Sequence, residues 1–264
     1  MMINLSICLL LVMIYSTNCL LKPDSELTTH CYHFPAKDYG HTNNVKLTYS
    51  ASPKGIFHNN IHINDFNTYL LLVILNVGEQ AIDFTLPTPE GKLVTLSDLL
   101  KEKSVVLLWG HYTCPSFQGL HSDTMFIGSS YKDEQLFVEQ VKDKVTVVHL
   151  IGPEPHPIWP YSNFDSGLIK MNMWSTIKQP QTFEERMNES VTRVIPLVHK
   201  DAIILVDYLD GRNALNNNPV WCSYANGARS ALLIGQDGIV LDTQDWFNKD
   251  NLAKSIRKFI VENK

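Results

Sequence analysis

The stretch "SVVLLWGHYTCPSF" (104–117) sets the reading of this chain. Its first half is a continuous apolar run, the pattern of a strand covered on both faces of a sheet. A glycine ends the run, and four residues later a cysteine is followed by proline. Strand, turn and helix in that order place Cys114 at a helix start. There the unpaired N–H groups and partial positive charge favour a thiolate. Pro115 suits the first helical position, where its missing N–H would have no partner anyway. A second cysteine three positions on would make a dithiol motif, but that position is Phe117. Dithiol exchange within this loop is therefore excluded. The competing reading of Cys114 is a small buried filler, a common role for cysteine.

The sequence on either side repeats the strand signal. "VTVVHLI" (145–151) and "AIILVDY" (202–208) read as two more buried strands. "SALLIG" and "GIVLD" flank "QDG" (236–238), whose Asp-Gly suits a tight hairpin turn. Upstream, "TPEG" (88–91) is a turn between two short extended pieces, and a capped helix starts at Ser97. A helical stretch is expected from about Pro115 to Val141, broken near "GSS" (128–130). A long loop runs from Gly152 to Pro180, and "TFEERMNESVTRV" (182–194) reads as a helix. "NKDNLAKSIRKFIVENK" (248–264) closes the chain as an amphipathic helix. The pattern is α/β: a central mixed sheet flanked by helices, with an N-terminal β-hairpin extension. That order matches a thioredoxin-like fold. His149, alone on an apolar strand, reads as a core histidine with a satisfied partner.

Apolar residues make up 44% of the 264, enough for a sizeable core, and the net charge of −5 gives no footprint for nucleic acid. Three segments are expected. Residues 1–19 hold an apolar run too short to span a bilayer and read as a signal peptide or short membrane anchor. Residues 20–77 form an irregular leader that ends in an apolar docking segment. Residues 78–264 form the catalytic domain. These features place the protein in the secretory pathway, secreted or anchored at its N-terminus. Of five cysteines, Cys31, Cys114 and Cys222 remain after the targeting segment, so one pair plus one free thiol is the arithmetic. Two pairings of Cys222 stay open: with Cys31 as a structural disulfide, or with Cys114 as a resolving thiol. "THCYHF" (29–34) clusters His30, Cys31 and His33, but no second cluster completes a zinc site, and no metal is expected.

"TCPSF" (113–117), followed by "PEPHP" (153–157) and "QTFEER" (181–186), resembles the iodothyronine deiodinases, over about residues 78–262. Cys114 stands where that family usually carries selenocysteine. The resemblance implies thiol-dependent reductive removal of iodide from an iodinated aromatic substrate. A soft chalcogen attacks iodine along the carbon–iodine axis, and an acid protonates the ring carbon. It implies Cys114 as nucleophile, Glu154 and His156 as the proton-handling pair, and Arg229 as the group that binds the substrate's polar end. It further implies an external thiol reductant, no bound cofactor and a homodimer. The chain departs from the family at Tyr112, Ile151 and Pro180, where cysteine, tyrosine and histidine are expected. The loop 158–174 adds aromatic residues, among them Trp159 and Tyr161, as a wall for a flat apolar ligand or as a lid on the domain's own core. Two other functions stay open. One is a one-cysteine peroxiredoxin-like or generic thiol oxidoreductase, although His111 replaces the threonine expected three residues before its cysteine. The other is a redox-inert ligand-binding domain.

Overall fold

A computed structural model describes residues 21–24, 75–120, 128–154, 180, 182–209, 218–224 and 229–262. The targeting segment, most of the leader and the aromatic loop lie outside the described residues, and with them Cys31, His156, Trp159 and Tyr161. Among the described residues, no helix is long and apolar enough to cross a membrane.

The apolar run at the centre of the sequence becomes β3 (Val105–Trp109), and every residue of it is buried. It lies mid-sheet. β3 pairs in parallel with β4 (Thr146–Ile151), which pairs in parallel with β5 (Ile203–Val206). On its other side β3 pairs antiparallel with β6 (Ala231–Ile234), which pairs antiparallel with β7 (Val240–Gln244). The sheet order is β5-β4-β3-β6-β7. The two strands around "QDG" are the final antiparallel pair, and Gly238 takes φ +82° at their turn. Only glycine adopts that backbone without cost.

Alternation along β3 divides the core. Val105, Leu107 and Trp109 face one cluster, with Leu96 and Leu100 from α1 (Leu96–Glu102) and Val220 and Tyr224 from α6 (Pro219–Tyr224). Val106 and Leu108 face the other. Phe137, Val138 and Val141 from α3 (Tyr131–Val141) pack there, with Leu252, Ala253 and Ile256 from α7 (Lys249–Ile256). Full burial of each such aliphatic side chain is worth roughly 1.5–3 kcal/mol. The mixed sheet with helices on both faces is the thioredoxin-like α/β architecture. A separate antiparallel hairpin precedes it, β1 (Thr85–Pro87) with β2 (Leu93–Thr95).

Two local expectations are corrected. The expected break at 128–130 is where α3 begins, after Ser130, but the helix that starts at Pro115 is only a single turn, α2 (Pro115–Gln118). Gly119 at φ +73° ends the turn, and Ser130 with Asp133 closes a reciprocal cap on α3. The start of α1 lies at Leu96, and its Ser97 N–H is capped by the Asp83 carboxylate (3.0 Å) rather than from within the helix. Cys222 lies on α6, between β5 and β6. Within the expected irregular leader, Lys22 bridges in strand fashion to the Ala81–Asp83 backbone, with bonds of 2.8 and 2.7 Å. Leu75 from the docking segment is buried in the core.

Candidate active site

The site forms where β3 and β4 end side by side. Gly110 carries the chain out of β3. A Cβ there would meet His149 Cε1 at 2.3 Å and Phe117 at 3.0 Å, so only glycine fits. The turn closes with Cys114 N–H donating to the His111 carbonyl (3.1 Å), and Cys114 is the N-cap of α2 with Pro115 first in the helix. Cys114 is a free thiol and is 1% exposed, packed with Phe117, Ile151, Val191, Val194 and Val206.

That burial corrects one expectation. The sequence reading has the helix start favouring a thiolate, whereas the Cys114 pKa is raised above its ordinary value. Desolvation of the thiolate is the largest cause. The Phe117 and Ser116 N–H groups and the Arg229 charge oppose it without overcoming it.

Glu154 follows β4 and is brought to the cysteine's immediate neighbour. Its Oε2 accepts the backbone N–H (2.8 Å) and the hydroxyl (2.7 Å) of Thr113. Glu154 is fully buried, and burial raises its carboxyl pKa. The Thr113 hydrogen bonds, the nearby Ser190 hydroxyl and the charge of Arg186 act the other way. Burial thus biases Glu154 towards its protonated form, beside the thiol.

Arg229 takes a different role from the expected one. It is fully buried, and Nη1 forms an ion pair with Glu134 (2.7 Å) and donates to the Trp109 carbonyl (2.8 Å). Nε donates to the Ser129 carbonyl (2.7 Å). The guanidinium lies against the rings of Phe117 and Phe247, 5.0 and 4.8 Å from their centroids. These contacts consume the group that was expected to hold a substrate's polar end, so Arg229 is a core residue that stabilises the sheet's centre. His149 completes the cluster, with Nδ1 2.5 Å from Glu134 Oε1 and Nε2 3.1 Å from the Gly110 carbonyl. Burial pushes the Glu134 carboxyl up, but the facing His149 and Arg229 hold it below the usual range.

A second buried polar cluster was not read from the sequence. Arg186 belongs to α4 (Phe183–Arg186), which continues through a π-helical turn (Met187–Val191) into α5 (Thr192–Val194). Arg186 Nη1 donates to the Asp207 carbonyl (2.7 Å) and Nη2 to Asn218 Oδ1 (2.6 Å). The Asp207 carboxylate accepts the N–H groups of Tyr208 (2.9 Å), Val220 (3.4 Å) and Trp221 (2.8 Å), and so caps the start of α6. Two signals pointed there: an acid closing the apolar strand "IILVD", and Ser190 one helical turn after Arg186.

Comparison with known proteins gives fold likeness only. No protein-family model and no curated protein matches the chain. A solution structure of a putative protein disulfide isomerase from Bacteroides thetaiotaomicron is 18% identical, covering 72% of this chain and 91% of its own, with a TM-score of 0.44. An exposed lipoprotein thioredoxin from Streptococcus pneumoniae is 17% identical, over 67% of this chain and 99% of its own, TM-score 0.41. A peroxidoxin from Mycobacterium tuberculosis is 17% identical, over 70% and 98%, TM-score 0.41.

Proposed function

We propose that this protein is a thiol-dependent oxidoreductase that reduces a peroxide through Cys114. The observation that carries the reading is the pairing of a free cysteine, capping a helix at the end of the central strand, with a buried carboxyl hydrogen-bonded to the adjacent Thr113. In the step proposed, Cys114 first loses its thiol proton to solvent, and the thiolate so formed attacks the distal peroxide oxygen. An S–O bond forms as the O–O bond breaks. Sulfur loses two electrons, and the leaving alkoxide or hydroxide takes the Glu154 proton. The product is Cys114 sulfenic acid. A second thiol displaces water from it to give a disulfide, and an external thiol reduces that disulfide. Cys222 on α6 is the candidate second thiol within the chain.

Reductive deiodination is the second reading, favoured by the same Glu154 proton together with the "TCPSF" and "PEPHP" motifs. There the thiolate takes iodine from an aromatic carbon, and the carbon takes the proton. A further thiol releases iodide as the disulfide forms. The residue for the substrate's polar end then lies elsewhere than Arg229, with His156, Trp159 and Tyr161 as the remaining candidates.

The two readings separate in one assay of the full chain with excess dithiothreitol, given hydrogen peroxide or an iodinated thyronine. Peroxide consumption lost in Cys114→Ser supports the first reading, and iodide release lost in the same variant supports the second. Neither activity from folded protein would leave a redox-inert binding domain.

A further inference from the structure

Both ring nitrogens of His149 face oxygen. Nε2 lies 3.1 Å from the Gly110 carbonyl, which can only accept, so Nε2 carries a proton. Nδ1 lies 2.5 Å from Glu134 Oε1, and a contact that short needs a second proton between the two atoms. The His149–Glu134 pair therefore holds two protons and is neutral as a unit. The carboxyl of Glu134 is also faced by Arg229, with Nη1 2.7 Å from Oε2, so the second proton belongs on His149 and the carboxylate on Glu134. Arg229 adds one positive charge. Its other hydrogen-bond partners are the carbonyls of Trp109, Ser129 and Ser130, which are uncharged. These three buried side chains thus carry one positive charge in excess. Such a charge is costly in the interior until an anion faces it.

The group placed to become that anion is Cys114. Phe117 joins the two: its ring contacts Arg229 at 5.0 Å and His149 at 5.6 Å, and it packs in the same buried cluster as Cys114. We propose that Glu134, His149 and Arg229 form a buried counter-charge for the Cys114 thiolate, with His149 balancing Glu134 so that the charge of Arg229 stays free to face the sulfur. This deepens the proposed function and rests on its reading of Cys114 as the nucleophile. Glu134 and His149 act through Arg229 and are positioning residues. When Cys114 ionises, its proton goes to solvent, and the thiolate brings the four groups to zero net charge. The charge of Arg229 favours that thiolate, although burial still keeps the thiol above its ordinary pKa. Among the described residues, the other titratable groups at Cys114 are Glu154 from the end of β4, whose charge opposes the thiolate, and Tyr112 and Tyr131, which pack on the same cluster.

The test is the rate of Cys114 alkylation by iodoacetamide in the full chain at pH 9, followed on the Cys114 peptide by mass spectrometry. It reads ionisation rather than turnover, so it is decided whether or not Cys114 reduces peroxide. His149→Gln removes one positive charge and should slow alkylation by about tenfold or more. Adding Glu134→Gln removes the negative charge, leaves Arg229 as the sole charge of the three and should restore the wild-type rate. Packing alone would leave the double variant no faster than the single one. An unchanged rate in folded His149→Gln overturns the proposal, and so does an unrestored rate in the folded double variant. Where the variants do not fold, nitrogen-15 NMR of histidine-labelled wild type at pH 7 decides it. One histidine should carry protons on both ring nitrogens, and the absence of such a histidine overturns the proposal.

Discussion

The Phe117 ring lies against the Arg229 guanidinium, 5.0 Å from centroid to Cζ, and meets His149 on its other neighbouring contact at 5.6 Å between centroids. Phe117 occupies the position where a dithiol motif carries its second cysteine. The aromatic ring at that position shields a buried ion cluster, so the loss of the neighbouring thiol is tied to the packing of the core.

Phe117→Cys should therefore lose stability rather than gain a working dithiol. Removing a fully buried aromatic ring costs about 3–5 kcal/mol. Urea denaturation with a thiol reductant present checks this, through a lowered midpoint at unchanged slope.

Glu134→Ala should be as damaging. It removes the counter-charge of buried Arg229 and a partner of His149. Breaking a buried pair from one side costs about 3–5 kcal/mol. The pH dependence has a fixed sign. Since the folded Glu134 pKa is held below its ordinary 4.5, its contribution is present above that value and is lost as pH falls through the folded one. Thermal melts from pH 6 down should show that loss in the wild type, and a flatter acid limb in Glu134→Gln.

Cys114 works in the opposite direction. With the folded pKa raised above 9.0, its contribution is full below pH 9 and is lost as pH rises through the folded value. Alkylation of Cys114 by iodoacetamide should be slow at pH 7 and still rising beyond pH 9. Cys114→Ser should remove the alkaline loss of stability, as read by thermal melts.

Gly110→Ala should destabilise the turn that presents the thiol. The added Cβ meets the His149 ring at 2.3 Å, and His149 is held by Glu134 and the Gly110 carbonyl. Overpacking of this kind costs about 1–3 kcal/mol. The expected readout is a lower melting temperature together with a changed Cys114 alkylation rate.

The strands were legible because their burial is written in short apolar runs. β3, β4, β5 and β6 all fall within the expected segments, β7 overruns "GIVLD" by two residues to Gln244, and the Asp-Gly turn lies where the dipeptide stands. His149 was legible as a core histidine, since a polar side chain on an apolar strand needs a buried partner, and Glu134 supplies it. The placement of Cys114 at the cap followed from Pro115. What could not be read was long-range. The Thr113–Glu154 and Arg229–Glu134 contacts join segments far apart in sequence, and no local pattern records which charge finds which partner. Arg229 was misread for that reason. Its neighbours Ala228 and Ser230 say nothing of a carboxylate on α3. Burial at Cys114 was one of two readings and could not be decided, because a cap position sets the field of nearby N–H groups but not the depth of the sulfur.

The reading as a whole stands on Cys114 being the atom that is oxidised. Treating the reduced full chain with one equivalent of hydrogen peroxide, trapping with a dione reagent specific for sulfenic acid, and mapping by peptide mass spectrometry measures this directly. The account predicts an adduct on Cys114, its absence in Cys114→Ser, and slower formation in Glu154→Gln, where the leaving group has lost its proton donor. A Cys114 that stays an unmodified thiol in folded, peroxide-treated protein would contradict it.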